Sequence, residues 1–143
     1  MPPLARAFVK AAFVYFVAAF LLGALMMLDG LGIGRWLRSV YLSQLHLLVV
    51  GWISQLAIGV AYWMFPRFAK EQNPEPRGAD WLTWAVIVCL NAGLLLRFAF
   101  EPFALMSDQA WLKALVALSG LLQALAVVGF AVLIWGRIRA MEP

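Results

Sequence analysis

The sequence is short of charge, of cysteine and of histidine, and each shortage excludes something. Only 13% of its 143 residues are charged, against about 25% in a soluble domain. Such a chain cannot clothe a globular surface in polar groups. With 65% hydrophobic residues and a mean hydropathy of +0.89, its solvent is lipid. The one cysteine, Cys89, excludes a disulfide framework or a CxxC site within one chain. It sits midway along an apolar run and reads as a small buried hydrophobe. One histidine, His46, with one cysteine in a different run, cannot supply a zinc ligand set. The net charge of +4 does not point to nucleic acid, because no basic stripe with interleaved aromatics is present. The basic residues instead flank apolar runs, as membrane anchors do.

Four runs are long enough to cross a hydrocarbon core, which takes about 20 mostly apolar residues. They cover about 11–28, 40–66, 81–100 and 111–135. Turn-forming residues separate them: Asp29 to Gly34, then Asn73 to Gly78, then Glu101-Pro102 through Asp108. The first run is long for a signal-peptide core, and no A-x-A-like site precedes Asp29, so it reads as a retained helix. The expected fold is all-α: one integral membrane four-helix bundle. With the amino terminus inside, Arg6, Lys10, Arg67, Lys70, Arg77, Arg137 and Arg139 fall on the inner side. Arg35, Arg38, Arg97 and Lys113 fall on or near the outer side, so the lysine and arginine bias places both termini in the cytoplasm. Trp36, Trp81, Trp111 and Trp135 stand at run ends, where indoles favour the interface.

Ionisable groups within a span are costly and usually face a partner. His46 lies about six residues inside the outer end of the second run, or about 9 Å along a helix. The third run is antiparallel to it, which brings Arg97 to a similar depth. At 100° per residue the His46 face carries Val49, Val50, Ile53, Ala57 and Val60, a smooth apolar flank. The opposite face carries Gln44, Gly51, Gln55, Gly59 and Tyr62, suited to close helix packing and cross-helix amide bonds. Ala19/Gly23 and Gly120/Ala124 are the small pairs on the first and fourth helices. A lone histidine of this kind can simply bond a serine or a carbonyl, and Arg97 can snorkel or pair with Glu101, which stands before Pro102 at the interface. The sharper reading is a haem b. The His46 imidazole is then an axial iron ligand, Arg97 holds the propionates, and Val50, Ile53 and Ala57 flank the ring. Met26, Met27, Met106 in the outer loop, or the His46 of a second copy remain open as the sixth ligand, as does a five-coordinate iron open to a small gas.

The segment from His46 to Pro66, beginning His46-Leu47, Gly51-Trp52 and ending Gly59, Tyr62, Pro66, resembles the second helix of the catalytic subunit in the haem-copper oxidase and nitric oxide reductase superfamily. Leu90-Asn91-Ala92-Gly93 to Arg97 is similar to a feature of small proteins allied to that group. The resemblance implies that His46 ligates a low-spin haem near the outer membrane face. It also marks a departure: the superfamily's reaction centre needs several more histidines, and this chain has one. A complete terminal oxidase is excluded, and any other catalysis is left open. The expectation is a small b-type haem protein of a prokaryotic inner membrane, active in electron transfer or in binding a gas such as O2 or NO. It would act as a homo-oligomer, dimer or trimer. The alternative is a haem-free structural or assembly subunit of a larger respiratory complex.

Overall fold

The computed structural model describes residues 1–28, 39–68 and 77–139, the last without the Arg139 side chain. The first expected turn, most of the second, and Arg35, Trp36, Arg38 and Lys70 lie outside the described residues. The described residues form four helices long and apolar enough to span a membrane. We number them α1 (Pro3–Met27), α2 (Tyr41–Met64), α3 (Asp80–Met106) and α4 (Ala110–Arg139).

Helix α1 begins eight residues before the apolar run. Pro3 stands in its first turn, where a missing N–H costs nothing and the fixed φ favours the helix. Arg6 and Lys10 are exposed, while Ala5, Phe8, Ala12, Tyr15 and Ala19 make a buried stripe at three- and four-residue steps. That stripe meets α2. Gly59 lies so close to α1 that a Cβ there would stand 2.8 Å from the Phe8 Cβ, and a Cβ on Gly51 would be as close to Tyr15 and Leu94. The expected packing face of α2 is therefore the real one: Gly51, Gln55, Gly59 and Tyr62 are all buried, and Gln44 Nε2 donates to the Ala19 carbonyl at 3.3 Å.

The middle of α2, Leu47–Ser54, is π-helical. π-Helical turns are rare and gather at functional sites; this one starts at the residue after His46. The Ser54 hydroxyl donates to the Val49 carbonyl five residues back, at 2.9 Å, bracing the wide turn.

Helix α3 differs from expectation at its end. It was expected to stop at about 100, with Glu101-Pro102 opening a turn, but it continues through Pro102 to Met106. Proline removes one backbone bond and crowds the preceding turn, yet here only a single further turn has to follow. Helix α4 likewise exceeds the expected 111–135 at both ends. It packs chiefly on α3, so the bundle is two hairpins, α1/α2 and α3/α4, joined across α2 and α3.

Lipid supplies no hydrophobic drive between helices, so packing and polar bonds hold them together. Tyr15 donates to Asn91 Oδ1 at 2.8 Å, Gln55 Nε2 to the same atom at 3.4 Å, and Asn91 Nδ2 to the Ile87 carbonyl at 2.7 Å. This knot joins α1, α2 and α3 at mid-depth. At the end bearing the termini, the fully buried Arg137 reaches from α4 to the carboxyl end of α2. It donates to the carbonyls of Pro66 (2.9 Å), Tyr62 (3.0 Å) and Phe65, and its guanidinium lies 5.4 Å from the Tyr62 ring centroid. Those carbonyls have no acceptable partner in lipid, and an arginine fork satisfies all three. Trp81, Trp111 and Trp135 are exposed near helix ends, as expected of interfacial indoles.

Candidate functional site

At the other end of the bundle, three helices bring polar side chains together. Ser43 and His46 stand three residues apart on α2, and Arg97 and Glu101 four apart on α3, so each pair shares a helix face. Ser119 comes from α4. Ser43 Oγ and His46 Nδ1 each lie 3.1 Å from Glu101 Oε2. Arg97 Nη1 lies 2.9 Å from His46 Nε2, and Arg97 Nε donates to Ser119 Oγ at 3.1 Å. The Ser119 hydroxyl in turn donates to the Val116 carbonyl at 2.6 Å.

The chain of donors settles the imidazole tautomer. A guanidinium has donors only, so His46 Nε2 must accept from Arg97. The ring proton then resides on Nδ1 and is donated to Glu101. Glu101 faces both Ser43 and His46 with its side chain 9% exposed.

The sequence brought His46 and Arg97 to one depth, and the structure puts them in contact. Glu101, expected at the membrane interface as a partner for Arg97, is 7% exposed and faces Ser43 and His46. The cause is the helix running on through Pro102: the backbone at Glu101 stays helical, and its side chain points back at α2 one turn from Arg97. The Arg97–Glu101 spacing itself was the available signal, since any helix carrying both residues aims them at the same neighbour.

The expected flank of His46 is divided. Val50 is half-buried and packs against the core between α1 and α3, whereas Ile53 and Ala57 face outward and are exposed, Ile53 by 50%. The π-helical turns step by a smaller angle per residue than the assumed 100°, which separates residues that an α-helix would align. Met27 is 82% exposed at the end of α1 and Met26 half-buried; neither belongs to the polar group around His46 or to the hydrophobic clusters beneath it. Met106, also at this end, lines an apolar groove of about 490 Å³ with Leu22, Val40, Phe98, Pro102 and Phe103. His46 is not in its lining, so the groove is no slot for a ligand on the imidazole.

Whether these residues suit a haem follows from the donor chemistry. A carboxylate accepting Nδ1–H is the usual outer-shell support of a metal-binding histidine; it leaves Nε2 as the lone-pair atom and raises its basicity. Glu101 stands in that relation to His46. The position beyond Nε2 is taken here by Arg97 Nη1, so ligation would exchange one hydrogen bond for one metal bond. No group of three or more His, Cys, Asp or Glu able to hold a bare metal ion is found among the described residues. Among the described residues the donor set thus offers a single nitrogen, His46 Nε2, to an iron, and no bare-metal site. The chain matches no protein-family model, no curated protein and no solved structure.

Proposed function

We propose that this chain is a small b-type haem protein of the membrane, with His46 Nε2 as an axial ligand. The observation that carries the reading is the Glu101–His46 hydrogen bond: with Nδ1 donating to the carboxylate, Nε2 is left as the lone-pair atom. The resemblance of the His46–Pro66 segment to the haem-copper oxidase superfamily supports it independently. Arg97 would release Nε2 and turn its free fork to the propionates while Nε keeps Ser119. The haem, when bound, would supply one-electron transfer or an open position for a small gas such as O2 or NO. The chain's own residues orient the imidazole and shield Glu101 from lipid. With its lone histidine, the chain is not a complete terminal oxidase.

The excess of lysine and arginine at the end bearing both termini supports placing that end in the cytoplasm of a prokaryotic inner membrane. The exposed outer face at Ile53 and Ala57 suits a homo-oligomer, dimer or trimer. The test is the visible spectrum of protein purified from haem-sufficient cells. A Soret band that His46→Ala abolishes and Glu101→Gln weakens supports the reading. Colourless protein, or a band unchanged by His46→Ala, overturns it.

One observation favours a second reading. Both imidazole nitrogens are already satisfied, by Glu101 and Arg97, as a purely structural clasp would require. The chain would then be a haem-free structural or assembly subunit of a larger respiratory complex. That reading predicts colourless protein that co-purifies with larger subunits and depends on His46 for stability alone.

A further inference from the structure

The end of the bundle opposite His46 carries two arginines whose donors outnumber their acceptors. Arg137 is fully buried and spends Nε and Nη2 on the carboxyl-terminal carbonyls of α2, yet its buried Nη1 has no partner among the described residues. The buried Nε of Arg77 has none either. The two belong to one neighbourhood. Arg77 acts electrostatically on both Arg137 and Tyr62, and a Cβ on Gly78 would meet Leu133, one turn before Arg137, at 3.1 Å. On the far side, Phe68 closes against Gly136.

Among the described residues, no carboxylate forms an ion pair with either arginine. Asp80, the nearby acid in the first turn of α3, is exposed and acts on Tyr62 electrostatically. The amino terminus of α3 adds the positive end of its dipole to the same place. Among the described residues, two guanidiniums thus have buried donors without acceptors beside a helix start, an arrangement that an anion would complete. Burying such donors without acceptors is costly.

Depth says which anion. Arg137 is the penultimate residue of a helix segment, ending at Ile138, that is long and apolar enough to span a membrane, and a span of that extent would put its guanidinium at the headgroup boundary. Phosphate oxygens match an arginine fork and can take donors from two forks at once. We propose that Arg77 and Arg137 form a binding site for a phosphate group, presented by the headgroup of an anionic phospholipid or by free phosphate. Basic clefts between membrane helices take headgroups by this chemistry. Arg137 therefore has two tasks. Nε and Nη2 hold α2, and Nη1 is left for the ligand.

The test uses the full chain in nanodiscs of phosphatidylcholine, with phosphatidylglycerol raised stepwise, and reads the thermal unfolding midpoint. The wild type is expected to rise saturably by about 5 °C, as a ligand of the folded state requires. Arg77→Gln, which spares the Arg137 bonds to α2, is expected to lose at least half of that rise. Lys10→Gln removes an exposed cation from the same end and is expected to keep it all. A parallel titration with inorganic phosphate in pure phosphatidylcholine separates the sources: a response there assigns free phosphate, and silence there with a lipid response assigns the headgroup. No saturable rise with either, a rise undiminished in Arg77→Gln, or a loss as large in Lys10→Gln overturns the site.

Discussion

Replacing Glu101 by alanine removes the one acceptor that Ser43 and His46 share. Ser43 is fully buried, so its hydroxyl loses its partner in a place water does not reach; an orphaned buried donor costs about 1–3 kcal/mol. The His46 side chain is 25% exposed near the membrane boundary, so its Nδ1–H can find a substitute, and about 1 kcal/mol is the larger end of what that loss costs. Together Glu101→Ala is expected to destabilise the chain by about 2–3 kcal/mol, and Glu101→Gln, which keeps a carbonyl acceptor, by about 1 kcal/mol. The discriminating measurement is a double-mutant cycle of Glu101→Ala with His46→Ala, read by reversible unfolding in mixed micelles. Residues joined at 3.1 Å are expected to couple by about 1 kcal/mol. If His46→Ala costs the same with and without Glu101, within about 0.3 kcal/mol, the contact does not exist in the membrane and the tautomer assignment falls with it.

Other outcomes follow from particular contacts. Gly59→Ala places a Cβ 2.8 Å from the Phe8 Cβ and 3.3 Å from the Ala5 carbonyl, so unfolding stability is expected to drop by about 1–3 kcal/mol. Arg137→Leu strips three carbonyls, that of Tyr62 in a buried bond and those of Phe65 and Pro66 in part-buried ones, of their donor and is expected to cost about 2–4 kcal/mol, with Arg137→Lys recovering only part because an ammonium cannot reproduce the fork. Asn91→Leu frees Tyr15 and Gln55 together, and a loss of about 1–2 kcal/mol is expected in the same assay. Lys113→Gln breaks an ion pair whose two side chains are both exposed, and the unfolding midpoint is expected not to move.

The parts of this molecule that depend on composition and helical phase were legible in its sequence. Four crossings follow from run length alone, and the packing face of α2 follows from Gly51, Gln55 and Gly59 at four-residue spacing, since small residues mark close helix approach. His46 and Arg97 could be paired because antiparallel topology converts position along the chain into depth. What stayed hidden depends on backbone that does not follow the default. Pro102 reads as a stop; only the continuing helix shows Glu101 turned toward Ser43 and His46. The π-helical stretch after His46 leaves no residue signature, and it divided the flank that a uniform 100° step had put together. Arg137 looked like one more flanking anchor. Its burial depends on three carbonyls from the end of another helix, which no pattern within α4 announces.

The two-hairpin layout has a consequence for how the chain is put together. Each hairpin can enter the membrane as a unit, and each then presents the other with something it needs. The α1/α2 hairpin offers bare carbonyls at one membrane face and an imidazole at the other. The α3/α4 hairpin offers Arg137 to the first and Arg97 with Glu101 to the second. Because lipid rewards no generic apolar contact, mutual recognition falls to these matched polar ends, one at each face and set by different chemistry. Halves expressed as separate polypeptides, divided between 68 and 77, carry every one of those groups. Register and orientation between the hairpins are therefore specified twice, by two clasps that a slipped or inverted pairing cannot close together.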